Sequence, residues 1–180
     1  MQLDGLTNEE SQILTDLMHQ VSFGKKKLII QEGDRDDYTY FVEHGSVRSY
    51  VLREGNPVTL GFSFEGDLVG SFLGTTGRQT ARATVETLEP SVLVKISQQK
   101  LERLFESSAK LANWARKLTE KRLSEYDDYF TEYFWTDKET QYLKIMQEYP
   151  ELLQRISLKE LASYLNVTPQ TLSRIRARVR

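Results

Sequence analysis

The hydrophobic pattern of this chain changes its period near Ser22 and again near Ser97, and these changes limit the folds open to it. From about Ser22 to Ser97, short β-rich segments alternate with turn residues such as Gly33-Asp34 and Gly66-Asp67. From Ser97 to Trp135 there is no Gly or Pro, and apolar residues recur at steps of three and four. The pattern predicts an α+β fold, in which an antiparallel barrel or sandwich of about 75 residues precedes a long helix.

Six segments of the first part have the composition of strands. They are KLIIQ (27–31), YTYFVE (38–43), SVRSYVL (46–52), PVTLGFSF (57–64), ARATVETL (81–88) and SVLVKI (91–96). The fourth segment alternates strictly, so its side chains divide between two faces. The face predicted to line the barrel core carries Val58, Leu60, Phe62 and Phe64. The opposite face carries Thr59, Gly61 and Ser63.

Helical signals precede the β-rich part and follow it. Residues 6 to about 19 are predicted to form a short helix, because Thr7 and Glu10 have the spacing of a capping box. After Ser97 we expect a short helix and then one of about 25 residues. A further helix is predicted to start at Thr136, capped reciprocally with Glu139, and to end near Tyr149-Pro150.

The long helix carries an aromatic and aliphatic stripe that is too long for a small barrel to cover. Its members are Leu111, Trp114, Ala115, Leu118, Tyr126, Tyr129, Phe130 and Tyr133. We predict that part of the stripe pairs with a second copy of the chain, and the alternative is a helix lying across its own barrel. The residues expected near the seam are Leu111, Trp114, Leu118, Tyr126 and Tyr133. The acids Glu125, Asp127 and Asp128 lie on another face and are expected to be solvated.

The residue types present exclude several classes of protein. The chain has no cysteine, which excludes disulfides, Cys-ligated zinc, iron-sulfur clusters and a cysteine nucleophile. No stretch approaches the roughly 18 apolar residues of a membrane span, and the first ten residues carry acids and no apolar run. There is no paired acid/base or metal constellation, so we expect no catalysis. The prediction is a soluble, cytoplasmic protein that does not bind membranes.

Charge is distributed unevenly along the chain. The last 26 residues contain six basic residues and one acid, Glu160, for a net charge of +5. Since the whole chain carries −2, the first 154 residues carry −7. The basic residues of the tail are Arg155, Lys159, Arg174, Arg176, Arg178 and Arg180. A basic end on an acidic body indicates an anion-binding module.

The same tail has the pattern of two short helices joined by a tight turn. Ser157 and Glu160 form a second capping-box signature, and Asn166 is a residue that tolerates positive φ. Thr168-Pro169 is a cap followed by proline at the first helical position. The apolar residues that match the spacing of a helix-turn-helix are Ala162, Leu165, Val167, Leu172 and Ile175. We therefore predict that motif in residues 157–180.

The second of these helices presents groups that suit the major groove of DNA. Gln170, Thr171, Arg174 and Arg178 share its outer face, with Ser173 and Arg176 at the flanks. Arginine donates twice to guanine, glutamine pairs with adenine, and hydroxyls and further arginines bind phosphates. We predict that DNA is contacted by Thr168, Gln170, Thr171, Ser173, Arg174, Arg176 and Arg178. The alternative is an ordinary helical hairpin with a solvated basic face.

With a barrel, a long helix and a helix-turn-helix in this order, the chain resembles the Crp/Fnr family of bacterial transcription regulators. The resemblance is strongest in residues 157–176, and in the barrel it rests on the glycines Gly33, Gly45, Gly55, Gly66 and Gly70. It implies a cyclic-nucleotide-binding-like double-stranded β-helix at 1–106, a dimerisation helix at 107–135 and a DNA-binding domain at 136–180. Family members usually continue into a β-hairpin wing, which is expected to be absent or truncated here.

The resemblance also shows where a cyclic nucleotide would bind, and there this sequence departs from the pattern. In binding members a Gly-Glu pair is followed about ten residues later by Arg and then Ser, Thr or Ala. Here Gly70 is followed by Ser71, and Gln79 or Ala81 stands where the Arg belongs. The candidate effector pocket comprises Gly70, Ser71, Phe72, Arg78, Thr80 and Arg82. The alternative is a pocket in which Arg78 or Arg82 holds another anion, and we interpret both as solvated.

The same comparison predicts no cofactor. Iron-sulfur sensing needs cysteines, and the two histidines, His19 and His44, are expected to be polar surface residues rather than haem ligands. The expected function is a homodimeric regulator that binds an inverted repeat in double-stranded DNA. Its further partners are a small-molecule effector of unidentified chemistry and, for an activator, RNA polymerase. The rival hypothesis is a sensor or protein-interaction module acting without DNA.

Overall fold

The computed structural model describes residues 6–35, 37–70 and 80–179. It begins with helix α1 (Asn8–Asp16), which is followed by eight strands. These are β1 (His19–Phe23), β2 (Leu28–Ile30), β3 (Tyr38–His44), β4 (Val47–Arg53), β5 (Asn56–Ser63), β6 (Leu68–Val69), β7 (Thr84–Thr87) and β8 (Ser91–Ser97). Helices α2 (Gln98–Ser107), α3 (Ala109–Trp135), α4 (Lys138–Glu148), α5 (Leu152–Arg155), α6 (Leu158–Tyr164) and α7 (Pro169–Arg178) complete the chain. The mixed α+β class is confirmed.

The strands form two four-stranded sheets, ordered β1-β8-β3-β6 and β2-β7-β4-β5. The pairs β1/β8, β3/β8, β3/β6 and β2/β7 are antiparallel. The predicted barrel is therefore an antiparallel fold of two sheets that do not close. Strands β1 and β6 were not predicted, because one follows directly on a helix and the other has only two residues.

Two clusters of buried side chains hold the described residues before Arg122 together. The first joins both sheets and contains Ile30, Val42, Val47, Val69, Ala81, Val85 and Leu93. The second packs helices on strands and contains Leu14, Phe41, Leu68, Ile96, Leu101 and Leu111. Between β3 and β4, Gly45 has φ +96°, and a Cβ there would collide with the side chain and backbone of Ser91. The predicted turn at this glycine is confirmed.

The described chain divides into two compact units. One contains the residues up to Ser49 together with those from Phe62 to Lys121. The other contains Tyr50–Gly61, the end of the β4/β5 hairpin, together with Arg122 onwards. The division cuts α3 after its first 13 residues, so the two ends of that helix belong to different units.

Side-chain caps set the starts of α1 and α4. Thr7 and Glu10 form the predicted capping box, although α1 ends at Asp16 and His19 begins β1 instead of ending the helix. The expected long helix is confirmed, with 27 residues. Thr136 does not cap α4. The carboxylate of Asp137 does so instead, because it accepts hydrogen bonds from the backbone of both Glu139 (2.9 Å) and Thr140 (3.0 Å).

The alternation predicted for β5 is wrong at its clearest positions. Thr59, assigned to the outer face, is 3% exposed, whereas Leu60, assigned to the core, is 48% exposed. None of the four residues expected in the barrel core belongs to either buried cluster. The reason is that β5 is an edge strand, and Thr59 lies against α6.

Candidate nucleic-acid interface

Helices α6 and α7 are joined by the turn that the sequence predicts. Leu165 caps α6, and Asn166 follows with φ +53°, a conformation that asparagine tolerates. The backbone N–H of Val167 donates to the carbonyl of Ala162 at 2.9 Å, which closes the turn. Thr168 Oγ1 then accepts from the N–H of Thr171 at 3.1 Å and starts α7, with Pro169 as its first residue.

The facing sides of the two helices are apolar and buried. Five of these side chains are no more than 6% exposed: Leu161, Ala162, Leu165, Leu172 and Ile175. The first helix is stabilised at its start by the predicted capping box, in which Ser157 N–H donates to Glu160 (3.0 Å) and Glu160 N–H donates to Ser157 Oγ (3.2 Å). This packing fixes which side of α7 faces outward.

The outward side of α7 carries most of the residues expected to contact DNA. Exposed there are Gln170, Thr171, Ser173, Arg174 and Arg178. At 100° per residue, Gln170, Thr171 and Arg178 lie within about 60° of Arg174 around the helix. Arg176 is half-buried and lies about 160° from Arg174, so it does not share this surface. Thr168 is exposed beside the start of the helix.

Two groups on this surface already have partners within the chain. The guanidinium of Arg178 lies 3.5 Å from the carboxylate of Glu139 in α4, and the arginine side chain remains 69% exposed. The hydroxyl of Thr171 lies 2.9 Å from that of Thr168. Because an exposed ion pair contributes little free energy, Glu139 competes only weakly for Arg178. The surface therefore keeps cationic and neutral hydrogen-bonding groups side by side.

The first helix of the motif is attached to β5 by a serine that the sequence analysis did not single out. Ser163 Oγ donates to the carbonyl oxygen of Pro57 (2.8 Å) and accepts from the N–H of Thr59 (2.9 Å). The hydroxyl of Thr59 also lies 3.1 Å from Ser163 Oγ. The only sequence signal for this contact is Ser163 itself, a polar residue in a predicted helix with no polar partner close to it in the sequence.

The candidate effector pocket is only partly within the described residues. Ser71, Phe72 and Arg78 lie outside them. Gly70 follows β6 with φ +87°, Thr80 forms a β-bridge with Arg35, and Arg82 is exposed at a bend before β7 begins. Arg82 therefore lies outside β7, although the segment 81–88 was predicted to be a strand.

The sheets also contain a buried arginine that the sequence analysis did not identify. Arg48 of β4 donates to a carboxylate oxygen of Glu86 in β7 at 2.6 Å, and both side chains are about 90% buried. Lys26 lies 3.3 Å from the same oxygen. The positive charge of Arg48 is therefore balanced within the chain.

The residues predicted at the dimer seam fall into two groups. Leu111 is 1% exposed, and with the half-buried Trp114 it packs in the cluster of its own chain, so this end of α3 follows the alternative that a helix lies on its own sheets. Leu118 and Tyr133 are half-buried, and Tyr126 is exposed. The exposed apolar stripe, which we call the α3 stripe, lies further along the helix. It consists of Leu123, Tyr126, Phe130 and Phe134.

Two other kinds of site are absent from the described residues. No group of three or more His, Cys, Asp or Glu side chains there has an arrangement that holds a metal ion. Within the same ranges, every helix is too short or too polar to cross a membrane.

Part of the chain is similar in sequence to a known family of domains. Residues 20–108 match the family model of the cyclic nucleotide-binding domain. None of the curated proteins matches the chain. Residues 20–108 are thus similar to a cyclic nucleotide-binding domain, although Ser71 stands in place of the expected acid.

Solved structures with the same fold cover nearly the whole chain. FixK2 from Bradyrhizobium japonicum has a TM-score of 0.74 at 20% identity, with 90% of this chain and 84% of that one covered. The c-di-GMP-responsive global regulator CLP from Xanthomonas campestris has 0.73 at 20% identity, covering 96% and 91%. A protein assigned to the Crp/Fnr family of transcriptional regulators from Eubacterium rectale has 0.73 at 19%, covering 96% and 83%. At these identities the likeness concerns the fold.

Proposed function

From a cyclic nucleotide-binding domain within the fold of Crp/Fnr transcription regulators, we propose that this chain is a homodimeric regulator that binds an inverted repeat in double-stranded DNA. The observation that carries the proposal is the outer face of α7, where Gln170, Thr171, Arg174 and Arg178 are exposed together. The buried face of the same helix fixes which side points outward, as the proposal requires of a recognition helix.

Each group on that face has a separate role in the proposal. Arg174 lies at the centre and donates two hydrogen bonds to a guanine in the major groove, while Gln170 pairs with adenine. Thr168, Thr171 and Ser173 bind phosphate or base edges from the start of the helix. Arg178 leaves Glu139 and binds a phosphate. Arg176, on the other side of the helix, contributes positive charge close to the DNA backbone.

In this proposal, pairing of two chains gives the DNA site its two-fold symmetry. The α3 stripe leaves four large apolar side chains in water, and a second copy of the same helix is the proposed partner. A two-fold dimer presents its recognition helices to successive major grooves, so the operator is an inverted repeat with half-sites about 34 Å apart. This assigns the pairing to the second half of α3 rather than to Leu111 and Trp114.

The cyclic nucleotide-binding domain is proposed to have lost its usual ligand contacts. The position after Gly70 lacks the acid, and neither Gln79 nor Ala81 supplies the arginine charge. An effector of different chemistry, and RNA polymerase if the protein activates transcription, complete the proposed set of partners. The chain is proposed to have no catalytic activity of its own.

The experiment that tests the proposal compares arginine variants on cognate and scrambled duplexes at several salt concentrations. Arg174→Ala is expected to cost about 1–3 kcal/mol on the cognate duplex and to relax preference at one base pair. Arg178→Ala is expected to weaken both duplexes alike and to reduce the salt slope by about 0.9. Lys100→Ala, which removes an exposed charge from α2, is the matched control and is expected to bind like the parent protein.

Two outcomes of that experiment would contradict the proposal. Equal losses on both duplexes for Arg174→Ala would refute base reading by that residue. No binding by the parent protein in low salt would favour a sensor or interaction module that acts without DNA.

A further inference from the structure

A cavity of about 360 Å³ lies against the C-terminal half of α3, within the second compact unit. Its deepest residues are buried: Gln141 and Ile145 of α4, and Leu165 after α6. Its walls include the rings of Tyr129 and Tyr164. The volume is within the range of small-molecule sites, about 300–1,000 Å³. Nothing in the DNA-binding proposal uses this cavity.

The walls form an aromatic cluster. The ring centroid of Tyr129 lies 5.9 Å from that of Tyr133 and 6.0 Å from that of Tyr164. Burial, followed by the charge that Tyr133 carries when ionised, raises the pKa of Tyr129, while a hydrogen bond with Tyr164 acts in the opposite direction. The hydroxyl of Tyr129 therefore stays neutral at physiological pH, and the ring keeps its electron-rich face.

The rim of the cavity is acidic. Glu125 and Asp128 of α3 and Glu148 of α4 line it, and all three are exposed at the mouth. Among the lining residues Lys144 is the one cation, and its Nζ lies 4.0 Å from the carboxylate of Glu148. The three acids and this lysine give the lining a net charge of −2. A negative mouth above aromatic walls attracts positive charge and repels anions.

One ring of this tyrosine cluster already lies against an ammonium group of the chain itself. The Nζ of Lys138 lies 4.1 Å from the ring centroid of Tyr133, within the distance of a cation–π interaction. A metal ion is a poorer match for the cavity, because no three metal-ligating side chains are grouped among the described residues. Aromatic rings with a few surrounding carboxylates are instead the typical receptor for an alkylammonium ion.

The cavity borders the surface proposed for dimerisation. At 100° per residue, Asp128 is about 140° around α3 from Leu123, whereas Tyr133 is only about 20° from Tyr126. The ring centroid of Tyr133 also lies 5.5 Å from that of Phe134. The acidic rim and the α3 stripe therefore lie on different sides of the helix, and the tyrosine wall adjoins the stripe.

We propose that this cavity, walled by Tyr129, Tyr133 and Tyr164 and rimmed by Glu125, Asp128 and Glu148, binds a small organic cation of the alkylammonium class. The ammonium group lies against the tyrosine rings, and the carboxylates at the mouth balance its charge. Binding needs no second chain and no DNA, so it is separable from the function proposed above.

Choline and its uncharged isostere 3,3-dimethyl-1-butanol test the proposal on the full-length protein. Titration followed by NMR is expected to show choline binding at least tenfold more tightly than the alcohol, since the two differ only in charge. The ring protons of Tyr129, Tyr133 and Tyr164 are expected to shift. Equal affinity for the two probes, or shifts confined to other residues, would overturn the proposal.

Variants of the rim and of the wall separate a binding site from general charge effects. Asp128→Asn with Glu148→Gln is expected to weaken choline binding about three- to thirtyfold. The matched control neutralises two exposed acids of α2, Glu102→Gln with Glu106→Gln, and is expected to leave choline binding unchanged. Equal weakening by both pairs would contradict a specific site.

Three further variants keep the test independent of folding. Tyr133→Leu is expected to reduce choline binding, whereas Tyr133→Phe retains the ring and is expected to preserve it. Lys144→Gln removes the internal cation of the cavity and is expected to tighten binding. Weaker choline binding by Lys144→Gln, or equal losses for the two Tyr133 variants, would refute the assigned cation site. Arg174→Ala is expected to bind choline like the parent protein, whatever its effect on DNA.

Discussion

Ser163 Oγ lies 2.9 Å from the backbone nitrogen of Thr59, a residue 104 positions earlier in the chain. The same oxygen donates to the carbonyl of Pro57 at 2.8 Å, so one hydroxyl joins two backbone groups of β5. Because Ser163 belongs to α6, the first helix of the helix-turn-helix is attached to the tip of the β4/β5 hairpin.

Replacing Ser163 by Ala is expected to loosen this attachment without unfolding α6, since alanine is the best helix former. The N–H of Thr59 loses its acceptor, and leaving a half-buried donor unsatisfied costs about 1–3 kcal/mol. Hydrogen exchange at the Thr59 amide measures the change directly, and the expected result is faster exchange.

The control for that variant is Ser173→Ala, on the exposed side of α7. It removes the same hydroxyl from a helix in the same motif, and the Thr59 amide is expected to exchange as in the parent protein. Unchanged exchange in Ser163→Ala would show that water or another group replaces the serine, and that the attachment does not depend on it.

This contact also explains why the faces of β5 were assigned wrongly from the sequence. Alternation in the segment 57–64 identifies two faces but not which one is covered. In the structure the polar Thr59 is buried by a helix from the far end of the chain, and Leu60 is exposed. A contact across 104 residues leaves no local pattern.

Where a helix cap or a turn depends on residues three or four positions apart, the sequence predicted it correctly in most cases. The caps at Thr7, Ser157 and Thr168 and the positive φ of Asn166 depend on side-chain chemistry next to the backbone they contact. The cap of α4 was placed one residue early because Thr136 and Asp137 are both good caps. Choosing between them requires the direction in which the chain enters the helix.

The apolar period of α3 likewise identified a face but not its partner. Leu111 and Trp114 pack within the chain, whereas Phe130 and Phe134 are exposed on the same helix. Only the three-dimensional structure shows that the start of α3 is covered by its own chain and that the apolar side chains further along the helix are exposed. The cavity walled by Tyr129, Tyr133 and Tyr164 was not predicted either. Two acids of its rim, Glu125 and Asp128, were interpreted as part of a solvated face.

The pH dependence of α1 provides a second prediction. The ammonium of Lys110 lies 2.9 Å from the Glu10 carboxylate, and this hydrogen bond, with one from the Thr7 backbone, lowers the pKa of Glu10 below its ordinary 4.5. A lowered pKa in the folded state stabilises the fold above the unfolded value, and that contribution is lost as the pH falls through the folded value.

The Lys110→Met variant tests this assignment. Its expected effect is a rise in the pKa of Glu10, measured by NMR titration of the side chain. The shift is expected to be incomplete, because the Thr7 N–H remains a donor. Glu10→Gln should remove the corresponding pH dependence of stability below pH 4.5. An unchanged midpoint in Lys110→Met would contradict the ion pair.

Oligomeric state is the third prediction. The parent protein is expected to have twice the chain mass by light scattering at micromolar concentration. Phe130→Asp places a charge in the α3 stripe and is expected to give a monomer, since burying an unpaired charge is costly. Ser124→Asp lies about 120° away around the helix and is the matched control, expected to remain a dimer. A monomeric parent protein would refute the pairing and the operator symmetry that depends on it.

Cyclic AMP binding is the fourth prediction. The parent protein is expected to bind it weakly or not at all, because the phosphate lacks its arginine partner. A charge-assisted contact contributes about 1.5–3 kcal/mol, which corresponds to a tenfold to hundredfold loss. The variant Ser71→Glu with Gln79→Arg, at positions outside the described residues, is expected to gain affinity by calorimetry. Sub-micromolar binding by the parent would mean that Arg78 or Arg82 has taken over the role.

Selection of bound sites from random duplex DNA tests the central claim most directly, because it measures recognition and dimer symmetry together. The account predicts enrichment of an inverted repeat whose half-sites are about 34 Å apart, each containing a guanine at which Arg174→Ala relaxes preference. No enrichment, together with no binding to any duplex in low salt, would contradict the assignment of this chain as a DNA-binding regulator.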